Sequence, residues 1–142
     1  MMIAVDSNMF IYALNEAVPE HREAVKAIKR AEKAGILVNT LILMEVCHHF
    51  VKRLGAVDGP RRASGFLAGP FGSVEEFDET LLGESLEVLA RFTHLGIGGR
   101  DASIIATMGR HAVKRLLTHD EAFKRVPGIE VLDPCEGIGK RR

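Results

Sequence analysis

The chain has 142 residues, 46% of them hydrophobic and 27% charged, with Lys plus Arg and Asp plus Glu balanced at 19 each. That length and mix fit one compact domain that needs no disulfide or structural metal to fold, and exclude a fibrous or low-complexity chain. Zero formal net charge excludes nucleic-acid binding through bulk charge, so any basic surface must be local.

Met2 to Val5 is a short apolar run, read as a buried strand. It stops at Asp6, Ser7 and Asn8, residues that favour caps and turns. A short helix is expected over Met9 to Leu14. Glu20 to Ala34 puts Ala24, Ala27, Ile28 and Ala31 on one helical face, and Gly35 is a good stop. Ile36 to Val38 reads as a second buried strand ending at Asn39 and Thr40, followed by a helix from Leu41 to Leu54 closed by Gly55. Another helix begins near Asp58 and covers Pro60 to Leu67. Gly69, Pro70 and Gly72 mark a turn before a weak strand over Ser73 to Phe77. Thr80 to Thr93 has the pattern Leu82, Leu86, Leu89 and Ala90, hence a helix. Gly96, Gly98 and Gly99 break the chain, and Asp101 to Ala112 forms the next helix with Ile104, Ile105 and Met108 inward. Arg115 to Leu117 is a strand ending at Thr118, His119 and Asp120. A short helix over Glu121 to Val126 and a last strand over Ile129 to Leu132 complete the pattern. Fraying is expected from Gly137 to Arg142, whose closing Lys140, Arg141 and Arg142 read first as a solvated terminus and second as phosphate contacts.

Short apolar strands separated by helical patterns imply an α/β fold with a parallel sheet covered on both faces. In such sheets the functional crevice lies beyond the carboxyl ends of the strands. Asp6 and Asp120 both follow strands, Glu45 lies about one turn into the helix after the second strand, and Asp101 opens a later helix. All four can converge on one rim. Each also has a plainer reading: Asp6, Asp101 and Asp120 are good helix caps, and Glu45 is an ordinary solvated helix residue. Capping does not explain why most of them fall on the same side of the sheet. Clustered carboxylates repel and raise one another's pKa, and a hard divalent cation relieves this through oxygen ligands. Such an ion activates water and stabilises charge on a phosphodiester.

The motifs then resemble those of PIN-domain nucleases. Ile3-Ala4-Val5-Asp6-Ser7-Asn8 resembles that family's opening strand, and Glu45 its helix-borne acid. Asp101-Ala102-Ser103-Ile104-Ile105-Ala106 resembles the third motif, and Leu116-Leu117-Thr118-His119-Asp120-Glu121-Ala122-Phe123 the fourth. Length and motif order are similar to the VapC-type toxins of toxin–antitoxin pairs. The resemblance runs from Ile3 to about Pro134 and implies a three-layer α/β/α sandwich with a central, mostly parallel sheet. It divides the chain into a PIN-like nuclease domain over 1–134 and a short tail over 135–142. It implies Mg²⁺- or Mn²⁺-dependent cleavage of RNA, with Asp6, Glu45, Asp101 and Asp120 as the catalytic, metal-binding acids. Ser7, Asn8 and Thr118 become the residues that orient them. A small antitoxin partner and a homodimer are implied for the VapC-type branch. The stretch between Gly55 and Thr80 matches no motif and is assigned to substrate or partner contacts.

Other readings stay open. Glu45 and His48 have the Glu-x-x-His spacing of di-iron bundles, but the second copy such a site needs is missing. The triple-glycine stretch lacks the Lys and Ser or Thr of a phosphate-binding loop. Arg100, Lys124 and Arg125 are candidate RNA contacts or ordinary surface charges, with Lys114 and Arg115 as further members of a basic groove. His119 reads as a structural histidine before it reads as a phosphate contact. Phe10, Ile11 and Leu14 are either a dimer interface or core. A receiver-like phosphoacceptor module and a non-catalytic PIN scaffold are the rival classes. Cys47 and Cys135 read as free thiols, with Cys47 buried, in a reducing cytoplasm. The chain shows neither a signal segment nor an apolar run of membrane-spanning length, so no membrane partner is expected.

Overall fold

The computed structural model describes residues 1–138. Five strands form one all-parallel sheet: β1 (Ile3–Val5), β2 (Ile36–Asn39), β3 (Ser73–Glu75), β4 (Arg115–Leu117) and β5 (Glu130–Leu132), in the order β3-β2-β1-β4-β5. Five helices surround it: α1 (Ser7–Ala13), α2 (His21–Ala34), α3 (Thr40–Leu67), α4 (Glu79–Phe92) and α5 (Gly99–Arg110). Two short 3₁₀ turns, Thr93–Leu95 and Glu121–Arg125, complete the order. The α/β/α sandwich implied by the family resemblance is the one observed, with a fully parallel sheet.

Strand residues alternate between two cores, as the period of two requires. Ile3, Val5, Ile36, Val38 and Leu117 pack with α1, α2 and α3. Ala4, Leu37 and Leu116 face the opposite core with α4 and α5. The buried stripe of α2 is Ala24, Ala27 and Ala31, which lie in the first core where the helix packs against α1.

Several assignments change. The expected inward face of α4 was Leu82, Leu86, Leu89 and Ala90, but the buried residues are Leu81, Ser85 and Val88, while Leu82 and Leu86 are 55% and 64% exposed. The helix is apolar on two adjoining stripes, and packing against α5 selects between them. Cys47 is only half-buried, whereas Cys135 is fully buried in the first core. Cys135 lies in the segment assigned to the tail, and Ile138, expected to fray, packs against the same core. The expected basic end, Lys140 to Arg142, lies outside the described residues.

The glycine stop at Gly55 is realised inside α3. The helix runs on from Thr40 to Leu67, but Gly55 takes φ 90° and ψ 178°, a conformation that suits glycine, and kinks it there. The second segment packs back onto the first so closely that a Cβ on Gly59 would stand 2.5 Å from the Val51 Cα.

Candidate active site

Chain order runs outward from β1 to β3, then returns to place β4 on the other side of β1. Strand order reverses between β1 and β4, the position where open α/β sheets form their crevice. Asp6 ends β1 and Thr118 ends β4. The ladder continues past both strands through Asp6 N–H to the Leu117 carbonyl (3.0 Å). This register sets the two side chains together, and Thr118 Oγ1 donates to Asp6 Oδ2 at 2.8 Å.

Asp6 is 1% exposed. Its Oδ1 caps α1 by accepting the Ser7 N–H at 2.7 Å, and the Ser7 hydroxyl lies 3.4 Å from the same oxygen. Burial pushes its pKa up to about 6, against the lowering effect of the Thr118 and Ser7 hydrogen bonds. The Asp101 charge raises it further. Asp101 lies in the first turn of α5, and its Oδ2 accepts the Gly98 N–H at 3.1 Å. Burial also raises its pKa, and the Asp120 carboxylate adds to the rise. Asp120 Oδ1 caps the following 3₁₀ turn at Ala122 N–H (3.0 Å), while its own N–H donates to Thr118 Oγ1 (3.1 Å). Asp101 is thus within electrostatic reach of both Asp6 and Asp120. All three also cap, so the two readings of these residues coexist: capping occupies one carboxylate oxygen of each, and in Asp6 the second is held by Thr118.

Glu45, on α3, joins the group through Arg100. Arg100 Nη1 is hydrogen-bonded to Glu45 Oε2, and Nη2 lies 3.5 Å from Asp101 Oδ1. As the side chains stand, no three His, Cys, Asp or Glu groups among the described residues are close enough to hold one metal ion. The guanidinium is interposed between two of the acids. The fit to a hard cation rests instead on the donors. Among the described residues, four buried side-chain polar atoms have no hydrogen-bond partner, and three belong to this site: Asn8 Oδ1, Glu45 Oε1 and Asp101 Oδ1. Buried acceptors without a donor are costly, and a divalent ion or its water shell satisfies such a set.

The candidate RNA contacts divide. Arg100 is 45% exposed at the rim. Lys124 is committed to Asp133 (2.8 Å) and Glu121 (2.7 Å), contacts that raise its pKa. Arg125 donates to the Leu95 carbonyl at 2.9 Å. His119 Nδ1 meets Asp133 at 2.9 Å and Nε2 the Ile138 carbonyl at 3.3 Å, the structural role. Phe10 is core, while Ile11 and Leu14 are half-buried.

Sequence reasoning passed over Asn39. It is 1% exposed at the end of β2, where its Oδ1 caps α3 at Ile42 N–H (2.9 Å). Its Nδ2 reaches across to α5, to Ser103 Oγ (3.2 Å) and Thr107 Oγ1 (3.1 Å). One side chain therefore fixes the helix bearing Glu45 against the helix bearing Asp101. The signal was available: Asn39 ends its buried strand as Asp6 ends the first.

Fold and site together define an α/β protein with a carboxylate cluster at the strand-order switch, suited to divalent-ion chemistry. Residues 3–129 match the PIN-domain family model. The chain belongs to the PIN-domain family, in its VapC-type branch. It is 30% identical over 135 residues to ribonuclease VapC13 of Mycobacterium tuberculosis, covering 92% of this chain and 99% of the relative. The solved structure of VapC20 from Mycobacterium tuberculosis, described as a Sarcin-Ricin loop cleaving toxin, superposes with a TM-score of 0.73 at 18% identity, covering 99% of this chain and 98% of that one. A toxin–antitoxin complex from Klebsiella pneumoniae gives 0.69 at 21% identity, over 93% and 97% of the two chains. Both structures share the fold.

Proposed function

We propose that this chain is an endoribonuclease that holds Mg²⁺ or Mn²⁺ with Asp6, Glu45, Asp101 and Asp120, and that it is the toxin of a toxin–antitoxin pair. The observation that carries the chemistry is that Glu45 Oε1 and Asp101 Oδ1, linked through Arg100 and beside the buried Asp6 at the strand-order switch, are buried oxygens without a hydrogen-bond partner. The ribonuclease name of the VapC13 relative, which this chain matches over nearly its whole length, supports RNA as substrate. Residues 1–134 are taken as the catalytic unit, with Cys135 and Ile138 of the following segment packed into its core.

When bound, the ion supplies Lewis-acid stabilisation of charge on the phosphodiester and acidifies a coordinated water. The chain's own residues prepare the site. Ser7 and Thr118 fix both oxygens of Asp6, so this carboxylate is oriented before any ion arrives. The Gly98 N–H fixes one oxygen of Asp101 and leaves the other directed at the site. Asn8 offers a further neutral oxygen. Arg100 is the cation at the rim with a partly exposed guanidinium, suited to a phosphate. Lys124 and Arg125 are secondary contacts, each already engaged within the chain.

A labelled single-stranded RNA incubated with the protein tests this. Cleavage with Mn²⁺ or Mg²⁺ is expected to cease in EDTA and to fall about a hundredfold or more in Asp6→Asn and Asp101→Asn. Cleavage untouched by either substitution removes the mechanism. The proposed antitoxin, homodimer and cytoplasmic setting are tested by co-purification with the product of the neighbouring reading frame and by mass measurement in solution. Among the described residues no helix is long and apolar enough to cross a membrane.

A further inference from the structure

The cation already nearest the acids is part of the chain. Arg100 precedes Asp101 in the first turn of α5, yet its side chain crosses to α3. Its two terminal nitrogens face Glu45 and Asp101, and its charge is also felt by Asp6. Two of the four proposed ligands thus face one guanidinium. Glu45 keeps its other oxygen, Oε1, without a hydrogen-bond partner, and Asp101 Oδ1, the oxygen that Arg100 faces, is ion-paired at 3.5 Å but not hydrogen-bonded. The pairing therefore neutralises charge while only Glu45 Oε2 is hydrogen-bonded to the guanidinium.

The arm and its anchor differ in freedom. The Arg100 carbonyl accepts the Ser103 hydroxyl at 2.6 Å, and Ser103 Oγ is itself held by Asn39. The pivot is tied to the frame that carries Glu45 and Asp101. The side chain beyond it is 45% exposed and borders an open cleft of about 300 Å³ lined by Leu41, Met44, Glu45 and His48. There is room for the guanidinium to leave while the backbone stays fixed.

We propose that Arg100 is the built-in counter-cation of the acid site: it holds Glu45 and Asp101 in the ion-free protein and must withdraw from them when a divalent ion binds. The inference rests on the reading of these acids as metal ligands. Withdrawal breaks one charge-assisted hydrogen bond and one longer ion pair, so ion affinity is lower than the acids alone would give. Because the arginine is nearly half exposed, the pair is worth the modest amount typical of such sites, about fivefold in affinity. The same withdrawal frees the guanidinium at the rim where a phosphate would arrive.

Calorimetric titration of the full chain with Mn²⁺ at neutral pH tests the exchange, on wild type, Arg100→Gln and Arg100→Lys, each first checked for folding by circular dichroism. Arg100→Gln is expected to bind Mn²⁺ about fivefold tighter than wild type, and Arg100→Lys close to wild type because the charge is kept. In the wild type, the Arg100 Nε–H resonance is expected to move when diamagnetic Mg²⁺ is added. Equal or weaker binding by Arg100→Gln, or an Arg100 resonance that ignores Mg²⁺ while Mn²⁺ binds, overturns the exchange and leaves the nuclease reading intact. Failure of all three proteins to bind Mn²⁺ overturns the metal-site reading, and the exchange with it.

Discussion

Replacing Asp6 with asparagine should stabilise the ion-free protein, even though it disables the site. The Asp6 carboxyl is 1% exposed, and burial pushes its pKa from 3.8 to about 6. A gap of about two units at roughly 1.4 kcal/mol per unit makes the buried charge cost about 3 kcal/mol at neutral pH. Below pH 3.8 the folded and unfolded chains both hold the proton, and the cost is absent. Between 3.8 and about 6 the folded chain keeps a proton that the unfolded chain releases, so the cost grows as pH rises. Above about 6 it is complete. Asparagine carries no charge at any of these values. Its amide nitrogen can face Thr118 and donate to that hydroxyl, but the Thr118 O–H then loses its carboxylate acceptor, a loss of about 1 kcal/mol. The balance at pH near 7.5 is about 2 kcal/mol in favour of Asp6→Asn, or about 6 °C in Tm for a domain of this size. Near pH 4 the advantage should vanish or reverse. Thermal and urea unfolding in EDTA at several pH values between 4 and 8 measures this directly, and adding Mn²⁺ should stabilise the wild type more than the variant. Two stability curves that run parallel across the whole pH range would refute the reasoning, because the buried carboxyl would then contribute no pH-dependent cost.

Further predictions concern the frame. Asn39→Leu removes the cap of α3 and the bridge to Ser103 and Thr107, and should cost about 3 kcal/mol in urea unfolding. The same variant should bind Mn²⁺ more weakly by calorimetry, because Glu45 and Asp101 lose their common tie. Gly59→Ala drives a Cβ to 2.5 Å from the Val51 Cα and 3.0 Å from the Phe50 carbonyl oxygen, backbone atoms that cannot yield cheaply. It should cost about 2 kcal/mol or more, whereas Gly65→Ala, with nothing within 4 Å, should be neutral or gain a few tenths of a kcal/mol. On α4, Leu81→Ala should cost about 3 kcal/mol and Leu86→Ser less than about 0.5 kcal/mol. The reverse order in thermal unfolding would restore the face that the helical pattern first suggested.

That last comparison marks a boundary between what is local and what is not. The strands β1, β2 and β4 are legible because short runs rich in apolar residues end at cap-forming residues, which are properties of adjacent positions. The positions of Asp6, Glu45, Asp101 and Asp120 are legible for the same reason, since strand ends and helix starts of a parallel sheet lie at one edge. The buried face of α4 is not legible, because Leu81 and Val88 compete with Leu82 and Leu86 and only contact with α5 decides between them. Lys124 looked available and is spent on Asp133 and Glu121. Cys135 looked like tail and is core.

By itself, then, the sequence determined the layer architecture and set Asp6 and Asp120 just after strands, with Glu45 and Asp101 on the early turns of helices. Hydrophobic period and capping act over a few residues and leave their pattern in the chain. Only the tertiary structure decided how those carboxylates are partnered: Thr118 on Asp6 across 112 positions, Arg100 on Glu45 across 55, and Asn39 on Ser103 across 64. Hydrogen bonds and ion pairs of this reach depend on distances of a few tenths of an ångström between side chains remote in the chain. That precision is set by the packing of sheet against helix and by no local pattern.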